Sequence, residues 1–434
     1  MTGPRDRQER IDMPQPDMAV RANRLRSKLA SCVACGRLHD LKPGTSQCDC
    51  ARQENLSICC DLGPAMRAAL LKSVEENEHS LWRYAPLMPV DRRFGTHLGV
   101  GWTPLYDFGD CLGTRVFLKD ETRNPSGSLK DRASEAVIAV AAAHDIGDVI
   151  VASTGNAAAS LACIGAAAGV HVTVLVPHTV PSAKLTQILA YGASVYRVDG
   201  TYDDAYALAR KVSAAKGIFN RSTGLNPFTR EGKKTCAFEI AEQLGWQAPD
   251  WVIVPTGDGN ILSGIWKGFL ELAALGLLPA MPRLVAAQSA ASDVIARTFD
   301  AEWSKTAIDP PLHTIADSIT VAQPRDLTLA LAALSASKGM AVAVDDDEII
   351  AATRTLASGF GVFCEPSSAA GFAAFERLRQ RGIIKPHERV VCLATGTGLK
   401  DLRAVPAPDS VPVIAPDAWE EISVGRGRQH HHGA

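Results

Sequence analysis

Aromatic residues are scarce in this sequence, 6% of 434 positions, and net charge is almost absent, -2 at pH 7. Near-neutrality with 21% charged residues excludes a protein that works mainly by electrostatic attraction to nucleic acid or an acidic membrane surface. Long apolar runs are missing too. None reaches the ~18 residues needed to span a bilayer, and the longest, such as 161–170, are rich in Ala and Gly and read as buried helix. The start, MTGPRDRQERID, lacks the apolar core of a secretory signal, so the expectation is a cytoplasmic protein. No internal repeat or low-complexity tract precedes the Pro-rich tail, which ends in GRGRQHHHGA. Its three consecutive histidines read as a solvated tail rather than a metal site.

What is present is ordinary for a globular enzyme. Hydrophobic residues make up 46%, and the length exceeds what one compact core usually holds, so at least two domains are expected. Of eleven cysteines, six fall between Cys32 and Cys60. The others (Cys111, Cys163, Cys236, Cys364, Cys392) mostly sit in apolar runs, as small core residues of a reducing compartment do. The first ~25 residues are charged, patternless and expected to be mobile. From Gly101 onward, predicted strands (148–153, 171–177, 194–198, 251–255, 284–288, 390–394) alternate with predicted helices. The helices are 157–168, 182–191, 203–215, 231–244, 261–275, 348–357 and 369–381. This alternation predicts an α/β fold with parallel sheets and helices on both faces.

Four segments carry candidate chemistry. In NPSGSLKDR, turn formers lead into a helix beginning near Ser128, which puts Lys130 in its first turn. A cation there opposes the helix dipole, and dipole and burial together would lower its pKa, as an amine attacking an aldehyde requires. A surface lysine balanced by Asp131 is the plainer alternative. Ser153, Thr154, Gly155 and Asn156 lie where a strand gives way to a helix, a setting suited to a carboxylate or phosphate or simply to a helix cap. Thr256, Gly257, Asp258, Gly259 and Asn260 form a second strand-to-helix turn whose glycines let successive N–H groups converge on an anion. It matches neither the Walker nor the dinucleotide pattern, and Asp258 is expected to turn away from any phosphate. Thr395, Gly396, Thr397 and Gly398 follow a third strand and suit close approach to a flat ligand. A lysine with three such loops describes a phosphorylated cofactor held as an imine.

With LKDETRNPSGSLKDR, ASTGNAAASLA, EGKKTCAFEIAEQLG, VPTGDGN, EPSSAA and TGTGLKD in this order, the sequence resembles the threonine synthase family. That family sits within the tryptophan-synthase-β-like, fold type II enzymes that use pyridoxal phosphate (PLP). The resemblance implies that Lys130 carries the cofactor and then moves protons at Cα and Cβ. It implies that Asn156 meets the cofactor's 3′-oxygen, that Gly257, Asp258, Gly259 and Asn260 cradle its phosphate, and that Thr395 meets its pyridine nitrogen. Ser153, Thr154 and Gly155 would hold the substrate carboxylate. A neutral hydroxyl at the ring nitrogen favours elimination over transamination. The implied architecture is a large PLP domain over 95–134 and 241–405, a small domain over 135–240, an N-terminal extension over 1–94 and a tail over 406–434, in a homodimer.

Two departures bear on the substrate. Family members acting on O-phosphohomoserine show Asn-Ser-x-Asn-Pro-x-Arg before the EGxKT block, whereas this sequence has Thr223, Gly224 and Thr229 in place of the Asn, Ser and Arg. An Arg grips phosphate in two places, and Arg230, one residue along, is the nearest candidate to substitute. Val100 also stands where the family usually has Glu. The expected activity is conversion of O-phosphohomoserine to threonine and phosphate. The alternatives are β-replacement of the cysteate-synthase kind or ammonia-lyase chemistry on O-phosphoserine, serine or threonine, or a sensor that binds PLP without turnover. Cys32, Cys35, Cys48 and Cys50 resemble the zinc ribbon at the front of some family members, but the second pair is CxC rather than CxxC. Cys59 and Cys60 could supply alternative ligands. Both a zinc-bound ribbon and a decayed, metal-free one fit this pattern, the latter being favoured.

Overall fold

The computed structural model describes residues 24–50, 55–111, 113–180, 182–300, 313–405 and 413–416. The charged first residues and the histidine tail lie outside the described residues. Three sheets organise the chain. The first is a small antiparallel sheet of β1 (Leu29–Cys32), β2 (Leu38–Asp40) and β3 (Leu56–Ile58), in the order β2-β1-β3.

The other two sheets are the α/β body that the strand–helix alternation predicts. The large one begins with the antiparallel pair β4 (Leu105–Cys111) and β5 (Thr114–Asp120). The chain then builds an all-parallel sheet from β6 (Asp148–Ala152), β7 (His171–Pro177), β8 (Ser194–Val198) and β9 (Phe219–Asn220), in the order β8-β7-β6-β9. It returns to the large sheet with β10 (Trp251–Pro255), β11 (Arg283–Ser289), β12 (Met340–Val344) and β13 (Arg389–Ala394). The large-sheet order is β12-β11-β10-β13-β5-β4, parallel except at the β4 edge. All five residues of β10 are buried, which is why its sequence reads as an unbroken apolar run.

Each parallel sheet has one place where consecutive strands depart in opposite directions. In the small sheet it lies between β6 and β9, and in the large sheet between β10 and β13. Crevices at the carboxyl ends of such strands are where open α/β sheets bind ligands. The loops after β6, β9, β10 and β13 are therefore the four to inspect.

The predicted helix 231–244 is assigned as two consecutive segments, Phe228–Lys233 and Thr235–Gln243. It starts earlier than expected because Pro227, with φ of -66°, already has a helical backbone. Helix Lys130–Ala143 is buried along nearly its whole length. A fully buried ionic cluster fixes its first turn. Arg132 donates to Glu121 (2.7 Å) and to both oxygens of Glu239 (2.5 and 2.7 Å), and Lys119 donates to Glu239 at 2.7 Å. Glu239 also accepts the backbone N–H groups of Trp102 and Thr103. The GWTPL, LKDE, KDR and FEIAE motifs thus meet at one point, two residues from Lys130.

Candidate active site

Lys130 is the first residue of its helix. It lines an inner cavity together with Asn156, Thr223, Lys233, Ser318, Glu365, Thr395 and the loop 255–261. Asn156, Gly257, Asp258, Gly259, Asn260 and Thr395, all singled out from sequence, are thereby brought together around the lysine. Thr154 and Gly155 line an adjoining open cleft of about 820 Å³ that shares Asn156, Ser318 and Glu365 with the inner cavity. Ser153 lines neither space. Its hydroxyl accepts the Gly155 N–H at 3.3 Å and shapes the loop from behind.

The two candidate anion loops share a construction. Helix Asn156–Ala168 begins after Gly155 and helix Asn260–Ala274 after Gly259, and neither N-terminus is capped by a side chain. Unsatisfied N–H groups at a helix start favour an anion. Gly259 adopts φ of +84°, where a Cβ would be strained and would also lie 2.7 Å from Ala330 Cβ. Asp258 does not address this cradle, because its carboxylate accepts the Arg325 backbone N–H at 3.1 Å. Lys233 does, donating to the side-chain oxygen of Asn260 within the cavity wall. After β13, Thr395 Oγ1 and Ser368 Oγ lie 3.0 Å apart, and Ser368 also accepts the Gly396 N–H at 2.8 Å.

Electrostatics set this lysine apart. Burial, followed by the nearby Arg221 guanidinium, pushes Lys130 down to about 8 against the partial pull of Asp258 and Glu365. Some of its surface still opens onto the cavity, so the amine is at once deeply enclosed and reachable. Burial pushes Glu365 up to about 7, even though it accepts a 2.8 Å hydrogen bond from Asn156. Lys233 lies well below the usual lysine range because of burial and then repulsion from Lys130 and Arg221. Displaced ionisations concentrated around one cavity are the mark of a reactive site.

The structure corrects one expectation. Arg230 does not take over from the missing Arg at Thr229. Its guanidinium pairs with Asp326 at 3.1 Å and donates to the Leu56 carbonyl of β3, so it is committed to the N-terminal sheet. Thr229 is fully buried, its hydroxyl bonded to the Asn226 carbonyl at 2.8 Å.

Sequence reading placed Lys233 only a turn beyond Arg230, near the missing arginine, and assigned neither it nor Glu365 to the cofactor cavity that both line. Glu365 stood inside the EPSSAA block and Lys233 inside EGKKT, but charge at those positions carries no local signal of burial. Only the fold does that.

In the N-terminal sheet, the sulfur atoms of Cys32, Cys35, Cys48 and Cys50 all lie within 4.8 Å of one another. The Cys32–Cys50 and Cys35–Cys48 separations are 3.9 and 3.7 Å, far too long for disulfides, and none of the four is disulfide-bonded. A tetrahedron of thiolates at the usual zinc–sulfur distance has edges of about 3.8 Å. The CxC spacing is therefore no obstacle, and the donor set fits a structural zinc ion.

Residues 96–396 match the family described as pyridoxal-phosphate dependent enzyme. Threonine synthase of Methanocaldococcus jannaschii is 36% identical over 393 residues, covering 89% of this chain and 96% of that protein. This chain belongs to the threonine synthase family. Within the family, threonine synthase of Mycobacterium tuberculosis (strain H37Rv) is 37% identical over 323 residues, covering 72% of this chain and 87% of that protein. The fold recurs in solved structures of O-ureido-L-serine synthase and of the processed form of threonine deaminase isoform 2 from Solanum lycopersicum, with TM-scores of 0.60 and 0.58. These are 23% and 20% identical, covering 73% and 83% of this chain and 96% and 90% of theirs. The chain is a fold type II, PLP-dependent carbon–oxygen lyase, threonine synthase-like. Among the described residues, no helix is long and apolar enough to cross a membrane.

Proposed function

We propose that the protein converts O-phosphohomoserine and water to threonine and phosphate. The observation that carries this reading is the convergence on one cavity of Lys130, Asn156, the Gly257–Gly259 turn and Thr395, in a chain so similar to threonine synthases. Bound there, the cofactor supplies an aldehyde and a conjugated ring that spreads the charge developed at the substrate Cα. The backbone of Gly257, Asp258, Gly259 and Asn260 would offer the uncapped helix start to its phosphate, with Lys233 beside it. Asn156 would donate to its 3′-oxygen, and Thr395, placed by Ser368, would meet the ring nitrogen as a neutral hydroxyl. Thr154 and Gly155, on a loop shaped by Ser153, hold the substrate carboxylate in the cleft.

Lys130 does the proton work. An amine with a pKa of about 8 is neutral often enough near neutral pH to accept the Cα proton, and basic enough to move protons at Cβ as phosphate departs from Cγ. The four cysteines of the N-terminal sheet hold zinc in this reading.

The test is phosphate release from O-phosphohomoserine, with threonine identified as co-product and O-phosphoserine run in parallel. Lys130→Ala is expected to lower turnover by at least about 10³-fold while the fold persists. Turnover of O-phosphoserine alone would replace this substrate with the β-substituted alternative.

A further inference from the structure

Gly396, in the turn after β13, lies against two polar side chains from other segments. A Cβ at this position would fall 2.6 Å from Glu365 Oε1 and 3.1 Å from Asn156 Nδ2. Its φ lies outside the left-handed region, so glycine serves space here rather than conformation.

The two side chains that take up this space, Glu365 and Asn156, are buried and line the inner cavity. The Glu365 main chain is fastened to the same turn, its N–H donating to the Gly396 carbonyl at 3.0 Å. Its carboxylate accepts from Asn156 Nδ2 at 2.8 Å on one oxygen and from the Ser318 hydroxyl at 3.4 Å on the other. Asp258, the other acid lining the cavity, is turned to the Arg325 N–H and does not compete for the amide.

A primary amide carries two N–H donors on its nitrogen and only an acceptor on its oxygen, and a flip of its plane exchanges the two ends. A carboxylate only accepts. Facing Asn156, it selects the orientation with Nδ2 toward it and leaves one N–H of that nitrogen unspent. The bond to Glu365 is the one hydrogen bond this amide makes among the described residues.

We propose that Glu365 is a positioning residue, which fixes the Asn156 amide so that its second N–H is presented to the cofactor's 3′-oxygen, in room that Gly396 provides. This inference rests on the cofactor contact assigned to Asn156 above, and its test separates the two. A flipped amide would set Oδ1 against the 3′-oxygen, acceptor against acceptor. Glu365→Gln removes the choice, because a carboxamide accepts from Nδ2 or donates to Oδ1 equally well.

The full chain, stripped of cofactor, is titrated with pyridoxal phosphate, and its affinity and visible absorbance are read without any turnover. At about pH 8.5, above the Glu365 pKa that burial pushes up to about 7, wild type carries the carboxylate. Asn156→Ala should weaken cofactor binding about 10-fold and shift the visible band. Glu365→Gln should weaken it about 3- to 10-fold and shift the band the same way. Loss of a negative charge alone would favour an anionic cofactor, so weaker binding has the sign of lost orientation. Gly396→Ala, which leaves both side chains in place but crowds them, should act in the same direction. The double variant Asn156→Ala, Glu365→Gln should show the Asn156→Ala band and bind within about 2-fold of that single variant. Losses that multiply in the double variant overturn the proposal, because Glu365 then acts on the cofactor without Asn156. Wild-type affinity and absorbance in Glu365→Gln overturn it as well. If Asn156→Ala itself leaves both readouts unchanged, the cofactor contact of Asn156 falls and the proposal falls with it.

Discussion

The Asn156 amide donates to the Glu365 carboxylate at 2.8 Å, joining the loop after β6 to the start of helix Pro366–Gln380 across the inner cavity. Glu365 is the acid nearest to neutrality in this site, pushed up to about 7 by burial. Its folded pKa lies above the ordinary value of 4.5, so between those values the folded protein binds more protons than the unfolded one. Stability of the cofactor-free protein should therefore fall as pH rises from 4.5 to about 7, by at most about 1.4 kcal/mol per pH unit for one proton. Glu365→Gln keeps an oxygen for Asn156 and removes the titration. Urea denaturation across that window should give a flatter profile for the variant, and an identical profile would count against the assignment.

The Arg132–Glu239 pair makes the opposite prediction at lower pH. Despite burial, Arg132 and Lys119 hold Glu239 down to about 2. Its contribution is fully present above the ordinary 4.5 and is lost as pH falls toward about 2. Glu239→Gln leaves the buried Arg132 undercompensated and should cost about 3–5 kcal/mol in urea denaturation at neutral pH. The exposed pair Arg115–Asp107 is the control, since Asp107→Asn should cost less than about 1 kcal/mol. Equal effects of the two variants would show that burial does not govern the cluster.

The parallel strands were legible in the sequence because burial on both faces leaves continuous apolar runs, as in β7, β10 and β13. Their helices were legible from Ala-rich runs and from stops such as Gly169, which adopts the left-handed conformation with φ of +67°. The edge strands β4 and β12 were not, because a half-exposed edge strand lacks a strong pattern, and β5 was not because its Arg115, Lys119 and Asp120 interrupt the apolar run although the strand is almost wholly buried. Glycine-rich loops and Lys130 announce themselves through local chemistry, whereas Arg221 and Glu365 do not. What makes those two unusual is the absence or nature of their neighbours, and those neighbours come from segments far apart in the chain. Arg230 was misplaced for the same reason. Its partners, Asp326 and the Leu56 carbonyl, are supplied by remote segments.

Those remote contacts connect the cysteine cluster to the cofactor cradle. Asn55, just before β3, donates to the Arg325 carbonyl at 2.7 Å and to Asp326. Asp326 also takes hydrogen bonds from Asn260 and Arg230, and its own N–H donates to the Asp258 carbonyl at 2.9 Å. Two residues of the phosphate cradle are thus held by a segment that the N-terminal sheet braces. Asn55 sits next to that sheet, whose fold a zinc ion on Cys32, Cys35, Cys48 and Cys50 would fix. Purified protein should contain about one zinc per chain by elemental analysis. Cys48→Ser should lower zinc content, and chelation of wild type should weaken cofactor retention without touching Lys130. Asn55→Ala should keep zinc yet bind cofactor more weakly, by about 10-fold if a hydrogen bond to a charged group worth about 1.5 kcal/mol is lost. Cofactor affinity unchanged in Asn55→Ala would sever the cysteine cluster from the active site. Unchanged affinity after chelation alone would place the bracing in the sheet itself, with the metal serving only its local fold.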